Sequence, residues 1–171
     1  LDERIMSTDA LSTQSRTAVL DAAAIDALIA THFPHVHGEE KSFFIEDVTA
    51  TTSVVRMKFN ARNVRPGGTI SGPAIFKLLD IAVWVAVMAA IGETGVDAVT
   101  THCNLHFLAK PAARDMIAKV TLLRGGKRSF VAECALYSEG AEEMVAHGVA
   151  GYAIPRSSAG KIIPHSGSMI P

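Results

Sequence analysis

Between residues 17 and 32, Val19, Leu20, Ala23, Ala24, Ala27, Leu28 and Ile29 recur at spacings of three and four, the repeat of an amphipathic helix. Phe33-Pro34 ends it, because proline keeps the residue before it out of helical backbone. Residues 42–50 and 54–60 read as strands. In the second, Val55, Met57 and Phe59 share one face and Val54, Arg56 and Lys58 the other, the alternation of a pleated strand. Thr51-Thr52-Ser53 is short enough to turn a hairpin between the two. A loop rich in turn residues, 63–72, leads into a second helix over 73–91 that is apolar on nearly every side. Pro73 suits the first helical position and Gly92 the exit. Such a helix must be wrapped by protein rather than lie on a surface.

Strands over 98–109, 116–124, 127–138 and 144–154 complete the pattern. The first places Val99, Thr101, Cys103, Leu105 and Phe107 on one face and Thr100, His102, Asn104, His106 and Leu108 on the other. The connections Pro111-Ala112-Ala113, Gly125-Gly126 and Glu139-Gly140 are short, so the last three strands form an antiparallel meander. Two strands, a long buried helix and four strands predict an α+β fold, an antiparallel sheet wrapped around a long central helix. Residues 1–16 read as a flexible arm, 17–154 as one domain and 155–171 as an irregular tail.

Composition narrows the function. Hydrophobic residues make up 49% of the 171 and charged residues 19%, which suits a sizeable core and excludes a disordered chain. Sixteen basic against seventeen acidic residues give a net charge of -1, leaving no global field for nucleic acid or an anionic membrane. Lys77 and Asp80 argue against 73–91 as a membrane span, and the acidic opening Leu1-Asp2-Glu3-Arg4-Ile5-Met6 is not a secretory signal. Cys103 and Cys134 lie in strand-like runs without metal-ligand spacing, as expected of a reduced cytoplasmic protein. His102 and His106 share a face about 13 Å apart at about 3.3 Å per residue, too far for one ion. His35-Val36-His37 lacks a third ligand, so no metal is expected.

Asp80 is the first candidate for chemistry. A carboxylate among Leu78, Leu79, Ile81, Val83 and Trp84 is costly unless it is used or paired. The alternative to a functional role is an ion pair with Lys77 on neighbouring helix surface. Gly72, at the helix N-terminus, offers an N–H and the positive end of the helix dipole to an oxyanion. Pro73 removes one donor, which leaves most of that role to Gly72. Ser71 reads as a helix cap, and G-T-I-S-G is not the G-x-S-x-G elbow of a serine hydrolase. Arg124, Lys127 and Arg128 flank Gly125-Gly126 and offer cations to phosphates, or form an ordinary solvated hairpin. Arg65 and Lys110 are weaker candidates.

G-G-T-I-S-G-P over 67–73 with Asp80 beyond it, T-T-H-C-N-L-H-F-L-A-K-P over 100–111 and G-K-R-S-F-V-A-E over 126–133 resemble the hotdog-fold thioesterases, specifically the phenylacetyl-CoA thioesterase (PaaI-like) family. The resemblance spans about residues 40 to 154. It implies an acyl-CoA thioesterase with Asp80 as nucleophile or general base, Gly72 as oxyanion donor, and Thr100 orienting the attacking water. No cofactor is implied beyond the CoA of the substrate, held by basic residues such as Arg124, Lys127 and Arg128. Ser71 replaces the histidine common before the glycine, and Arg65 stands where relatives often have Asn or Gln. These departures leave a second reading, a non-catalytic acyl-CoA-binding sensor or carrier. A hydratase or dehydratase would need an Asp/His pair in a different arrangement, which the sequence does not show.

Eight helical residues separate Gly72 from Asp80 by about 12 Å along the axis, at about 1.5 Å per residue, whereas a base must reach the reacting centre by hydrogen bond. One chain does not supply both groups to one carbonyl. A homodimer, or a dimer of dimers, with sites shared between chains is the expectation.

Overall fold

The computed structural model describes residues 17–156. The arm expected over 1–16 and all but the start of the expected tail lie outside them. Helix α1 runs Ala22–His32 and begins later than the apolar repeat predicts, because the Asp21 carboxylate caps it by accepting from the Ala24 N–H at 2.8 Å. Its buried Ile25 and Ile29 join the core. Upstream, the Val19 N–H donates to the Ala89 carbonyl at 2.7 Å and ties this segment to the second helix.

Strands β1 (Phe43–Val48) and β2 (Thr52–Met57) form the expected hairpin. The Thr49 hydroxyl accepts from the backbone N–H groups of Thr51 and Thr52, so the turn sits before Thr52 rather than over 51–53. β2 ends at Met57, and Phe59, expected on the core face with Val55 and Met57, is instead 43% exposed. The segment read as a plain loop carries a small ribbon, β3 (Val64–Arg65) against β4 (Thr69–Ile70), turned over Pro66-Gly67-Gly68.

Helix α2 spans Gly72–Ile91, so Gly72 is its first residue and Pro73 its second, one later than expected. It ends at Gly92, whose φ of 80° supplies the left-handed exit, and a 3₁₀ turn follows over Gly92–Asp97. Strands β5 (Val99–Phe107), β6 (Met116–Gly125), β7 (Ser129–Ser138) and β8 (Met144–Ala153) complete a six-stranded antiparallel sheet in the order β1-β2-β6-β7-β8-β5. The last three strands are the predicted meander, and β5 returns to the edge beside β8.

The sheet wraps α2, which touches all six strands; this is the expected α+β hotdog architecture. Leu78, Leu79, Val85 and Met88 of α2 are fully buried with Met57, Met116 and Leu136 of the sheet. Helix and strands come close together at Gly148 of β8, where an added Cβ would lie 2.5 Å from the Leu79 side chain and 2.7 Å from the Asn104 carbonyl. Only glycine lets helix and strands approach so closely. By length and composition Gly72–Asp97 is apolar enough to cross a membrane, yet 67% of its most apolar window is buried inside the fold.

One charged cluster locks the sheet beside β2. Asp115 accepts from the Phe59 N–H at 2.8 Å, pairs with Lys58 at 3.1 Å and with Arg56 at 3.2 Å, and Arg56 also bonds Glu46 and Glu139. Burial alone would raise the Asp115 carboxyl, but the Phe59 N–H, Lys58 and Arg56 outweigh it and hold it below its ordinary value of 3.8. A depressed carboxylate stabilises the fold above its unfolded pKa and loses that contribution as pH falls through the folded one. Asp115→Asn is expected to cost about 1–3 kcal/mol at pH 7 and to flatten the loss of stability below about pH 4. Urea unfolding of both proteins across pH checks it; parallel curves would remove Asp115 from the acid response.

Candidate active site

Asp80 sits half-buried at the middle of α2 and lines a cleft of about 620 Å³. Thr100, Tyr152, Ile81, Val99, Trp84 and Phe33 are among the residues that line it. The apolar end is rigid: the Trp84 indole N–H donates to the Gly95 carbonyl at 2.9 Å, and Phe33 packs edge-on against its ring at 6.2 Å. Phe33 comes from the end of α1, so the N-terminal helix helps to build this wall.

The ion pair with Lys77 does not form. Lys77 Nζ donates to the Val36 carbonyl at 2.6 Å and lies over the Phe43 ring, and these two partners draw the ammonium away from Asp80 although the two residues are neighbours on the helix surface. Asp80 instead accepts two hydroxyl hydrogen bonds, from Thr100 Oγ1 at 2.7 Å and from Tyr152 OH at 2.5 Å, both on Oδ1. The simple alternation of β5 puts Thr100 on the face away from Cys103. A bulge between Thr100 and His102, against β8, shifts that register and turns Thr100 toward the helix. The Thr100 proton is thus aimed at the carboxylate, and its oxygen retains lone pairs to accept from a water.

Tyr152 is the residue that the sequence reading misses. It is 4% exposed and stands on β8 among Gly148, Ala150 and Gly151. A lone large aromatic with a polar tip in a run of small residues is the signal that marks it. Burial, then the charge of Asp80, push its phenol well above the ordinary value of 10, so it stays protonated and donates. Cys103 lies close enough to feel the same charge; burial, then Asp80, raise its thiol above 9.0, which keeps it from acting as a thiolate nucleophile.

Gly72 occupies a different place. Pro73 has no N–H, and the N–H groups of Ala74 and Ile75 are taken by the Ser71 carbonyl at 3.1 and 3.2 Å. Among the described residues, the Gly72 N–H is therefore the open backbone donor of the first turn. Gly72 lines a second cavity of about 570 Å³ together with Pro73, Phe76, Leu105 and Phe107. Phe76 and Phe107 are 43% and 57% exposed there. Ser71 holds the cap position by its backbone, but its side chain makes no capping bond. Arg65 is exposed on the β3–β4 ribbon beside it.

The basic hairpin lies toward the other end. Ser129 pairs with Ala153 and Ala153 with Val99, so Gly125-Gly126-Lys127-Arg128 turns at the Asp80 end of the sheet. Arg124 and Lys127 are exposed there, and Arg128 donates to the Ile154 carbonyl at 3.2 Å. Lys110 follows β5 at the opposite end from Thr100. Among the described residues, no three His, Cys, Asp or Glu side chains converge as a metal site would require.

The family model described as the thioesterase superfamily matches residues 67–145, a span that includes both Gly72 and Asp80. The structure is similar to that of a candidate thioesterase from Silicibacter sp. TM1040, with 34% identity over 84% of this chain and 97% of that one and a TM-score of 0.72. Zebrafish thioesterase superfamily member 2 shares 16% identity over 80% of this chain and 99% of that one, TM-score 0.68. The E. coli PaaI protein from the phenylacetic acid degradation operon shares 18% over 78% and 94%, TM-score 0.64. At those lower identities the likeness is one of fold. No curated protein matches the sequence.

Proposed function

The chain belongs to the thioesterase superfamily, and from that premise we propose that it hydrolyses an acyl-CoA thioester to the free acid and CoA. The observation that carries the proposal is Asp80: a carboxylate at the centre of an apolar helix, held by two hydroxyls in a cleft whose walls include Phe33, Ile81, Trp84 and Val99. Either Asp80 takes a proton from water as it attacks the thioester carbon, or its oxygen attacks first and water opens the resulting anhydride. In both routes the C–S bond breaks and the leaving thiolate takes up the proton. The Gly72 N–H stabilises the oxyanion, aided by the dipole of α2. Thr100 orients the water through its free lone pairs, and Ser71 and Arg65 flank the thioester near Gly72.

The two stations belong to different cavities of one protomer, which supports a site shared across a two-fold axis. β5 is an edge strand with its outer side unpaired, Thr100 lies near one end and Phe107, against Gly72, at the other. Antiparallel pairing of two β5 edges brings Thr100 and Asp80 of one chain to Gly72 of the next and covers Phe107. A homodimer, and a dimer of dimers built from it, is the assembly proposed.

Thiol release from CoA esters of aryl, short, medium and long acyl groups tests the activity. Tight binding without release across that range would favour the sensor or carrier reading and overturn hydrolysis. In the same assay, Lys127→Ala and Arg128→Ala are expected to raise KM for CoA esters about 3–10-fold, with little change for thioesters lacking the nucleotide. Equal losses on both substrate types would remove the hairpin from phosphate binding.

A further inference from the structure

Two hydroxyl donors fall on the same oxygen of Asp80. Thr100 Oγ1 lies 2.7 Å and Tyr152 OH 2.5 Å from Oδ1, while among the described residues no protein donor bonds Oδ2. A carboxylate on a helix turns easily about its last torsion, which exchanges the two oxygens. Here that rotation would break two hydrogen bonds at once. The Tyr152 phenol is also 2.8 Å from the backbone carbonyl of Asp80 itself, so it spans the root and the tip of the same residue. Its own position is set by β8, where Tyr152 pairs with Thr100 on one side and Phe130 on the other.

We propose that Tyr152 is a positioning residue that, together with Thr100, pins Oδ1 of Asp80 and so presents Oδ2 as the oxygen that reacts. The inference rests on the reading of Asp80 as the reacting carboxylate. The two bonds engage Oδ1 and leave Oδ2 without a protein donor among the described residues, on a residue that lines the cleft, so the carboxylate is held in one orientation with one oxygen free for a base or nucleophile to use. A buried tyrosine also needs a partner simply to satisfy its hydroxyl. The Asp80 carbonyl alone meets that need, and the shorter bond to Oδ1 is the part that a purely structural tyrosine does not require.

The test compares wild type, Tyr152→Phe, Thr100→Val, Thr100→Ser and the Tyr152→Phe/Thr100→Val double variant. Each is assayed by steady-state thiol release on the acyl-CoA the wild type hydrolyses fastest, with thermal unfolding recorded alongside. Tyr152→Phe and Thr100→Val are each expected to lower kcat about 10–100-fold with KM within about threefold. Thr100→Ser, which keeps the hydroxyl, restores most of the rate. The double variant loses less than the product of the single losses, because both donors act on one atom. A Tyr152→Phe enzyme with wild-type kcat, or a loss confined to melting temperature or KM, overturns the inference. Thr100→Val leaves the core untouched, so a wild-type kcat there overturns the shared clamp even where Tyr152→Phe unfolds. Hydrolysis by Asp80→Asn at the wild-type rate would instead overturn the underlying assignment of Asp80. An inactive Asp80→Asn beside an unaffected Tyr152→Phe overturns only the positioning role.

Discussion

Asp80→Asn is expected to lower kcat for acyl-CoA hydrolysis by at least about 100-fold, a loss of about 2.7 kcal/mol of transition-state stabilisation. The substitution is nearly isosteric, and the amide oxygen still accepts from Thr100 and Tyr152, whose bonds fall on one oxygen. What disappears is the oxygen that takes a proton or attacks carbon. KM should change little, since the cleft walls formed by Phe33, Trp84 and Val99 are untouched. The protein stays folded because the core around Asp80 is supplied by Leu78, Leu79 and Ile81 rather than by the carboxylate. Steady-state thiol release with a matched circular dichroism spectrum measures both halves of the expectation. Near wild-type turnover in the folded variant would take Asp80 out of the mechanism.

The outline of the fold follows from local pattern because its main elements are locally consistent. α2 declares itself through an unbroken apolar run with Pro73 near the start and Gly92 at the end, and the meander through short Gly- and Pro-containing turns. Asp80 is legible for the same reason, as the one carboxylate inside that run. What escapes depends on neighbours distant in the chain. The bulge that turns Thr100 toward Asp80 is a property of β5 against β8, and period-two counting alone assigns that residue to the wrong face. Tyr152 meets Asp80 from 72 positions away, a contact only the sheet order creates. The cluster of Arg56, Lys58, Asp115 and Glu139 likewise forms because β2, β6 and the end of β7 lie side by side; along the sequence these are scattered surface charges. Edges are missed where side chains decide them. Asp21 stops α1 from reaching back to Thr17, and the Thr49 hydroxyl sets the hairpin turn two residues earlier than the pattern of apolar residues suggests.

Mixing two inactive chains should restore activity if each site draws Gly72 from one protomer and Asp80 from the other. Asp80→Asn removes the carboxylate, and Gly72→Pro removes the open N–H. Proline is tolerated at the first residue of a helix, and Ser71, at φ -74° and ψ 149°, already has the extended backbone required of the residue before it; the pull of Pro73 on residue 72 toward extended backbone acts only at the first turn, and a matched circular dichroism spectrum checks that the Gly72→Pro chain folds. The added ring carbon would lie 3.2 Å from Cζ of Phe107, at the outer end of an exposed side chain that has room to move. Each homodimer then lacks one group at both sites. A heterodimer joins the intact Gly72 of the Asp80→Asn chain to the intact Asp80 of the Gly72→Pro chain at one site and leaves the other site without either. Free exchange of equal amounts makes about half the dimers mixed, so about a quarter of wild-type activity is expected. Native mass spectrometry of tagged chains confirms the exchange before the assay. Verified mixed dimers that stay as inactive as their parents would mean that Gly72 and Asp80 do not meet across the two-fold axis, and the carbonyl would need an oxyanion donor from elsewhere in the cleft.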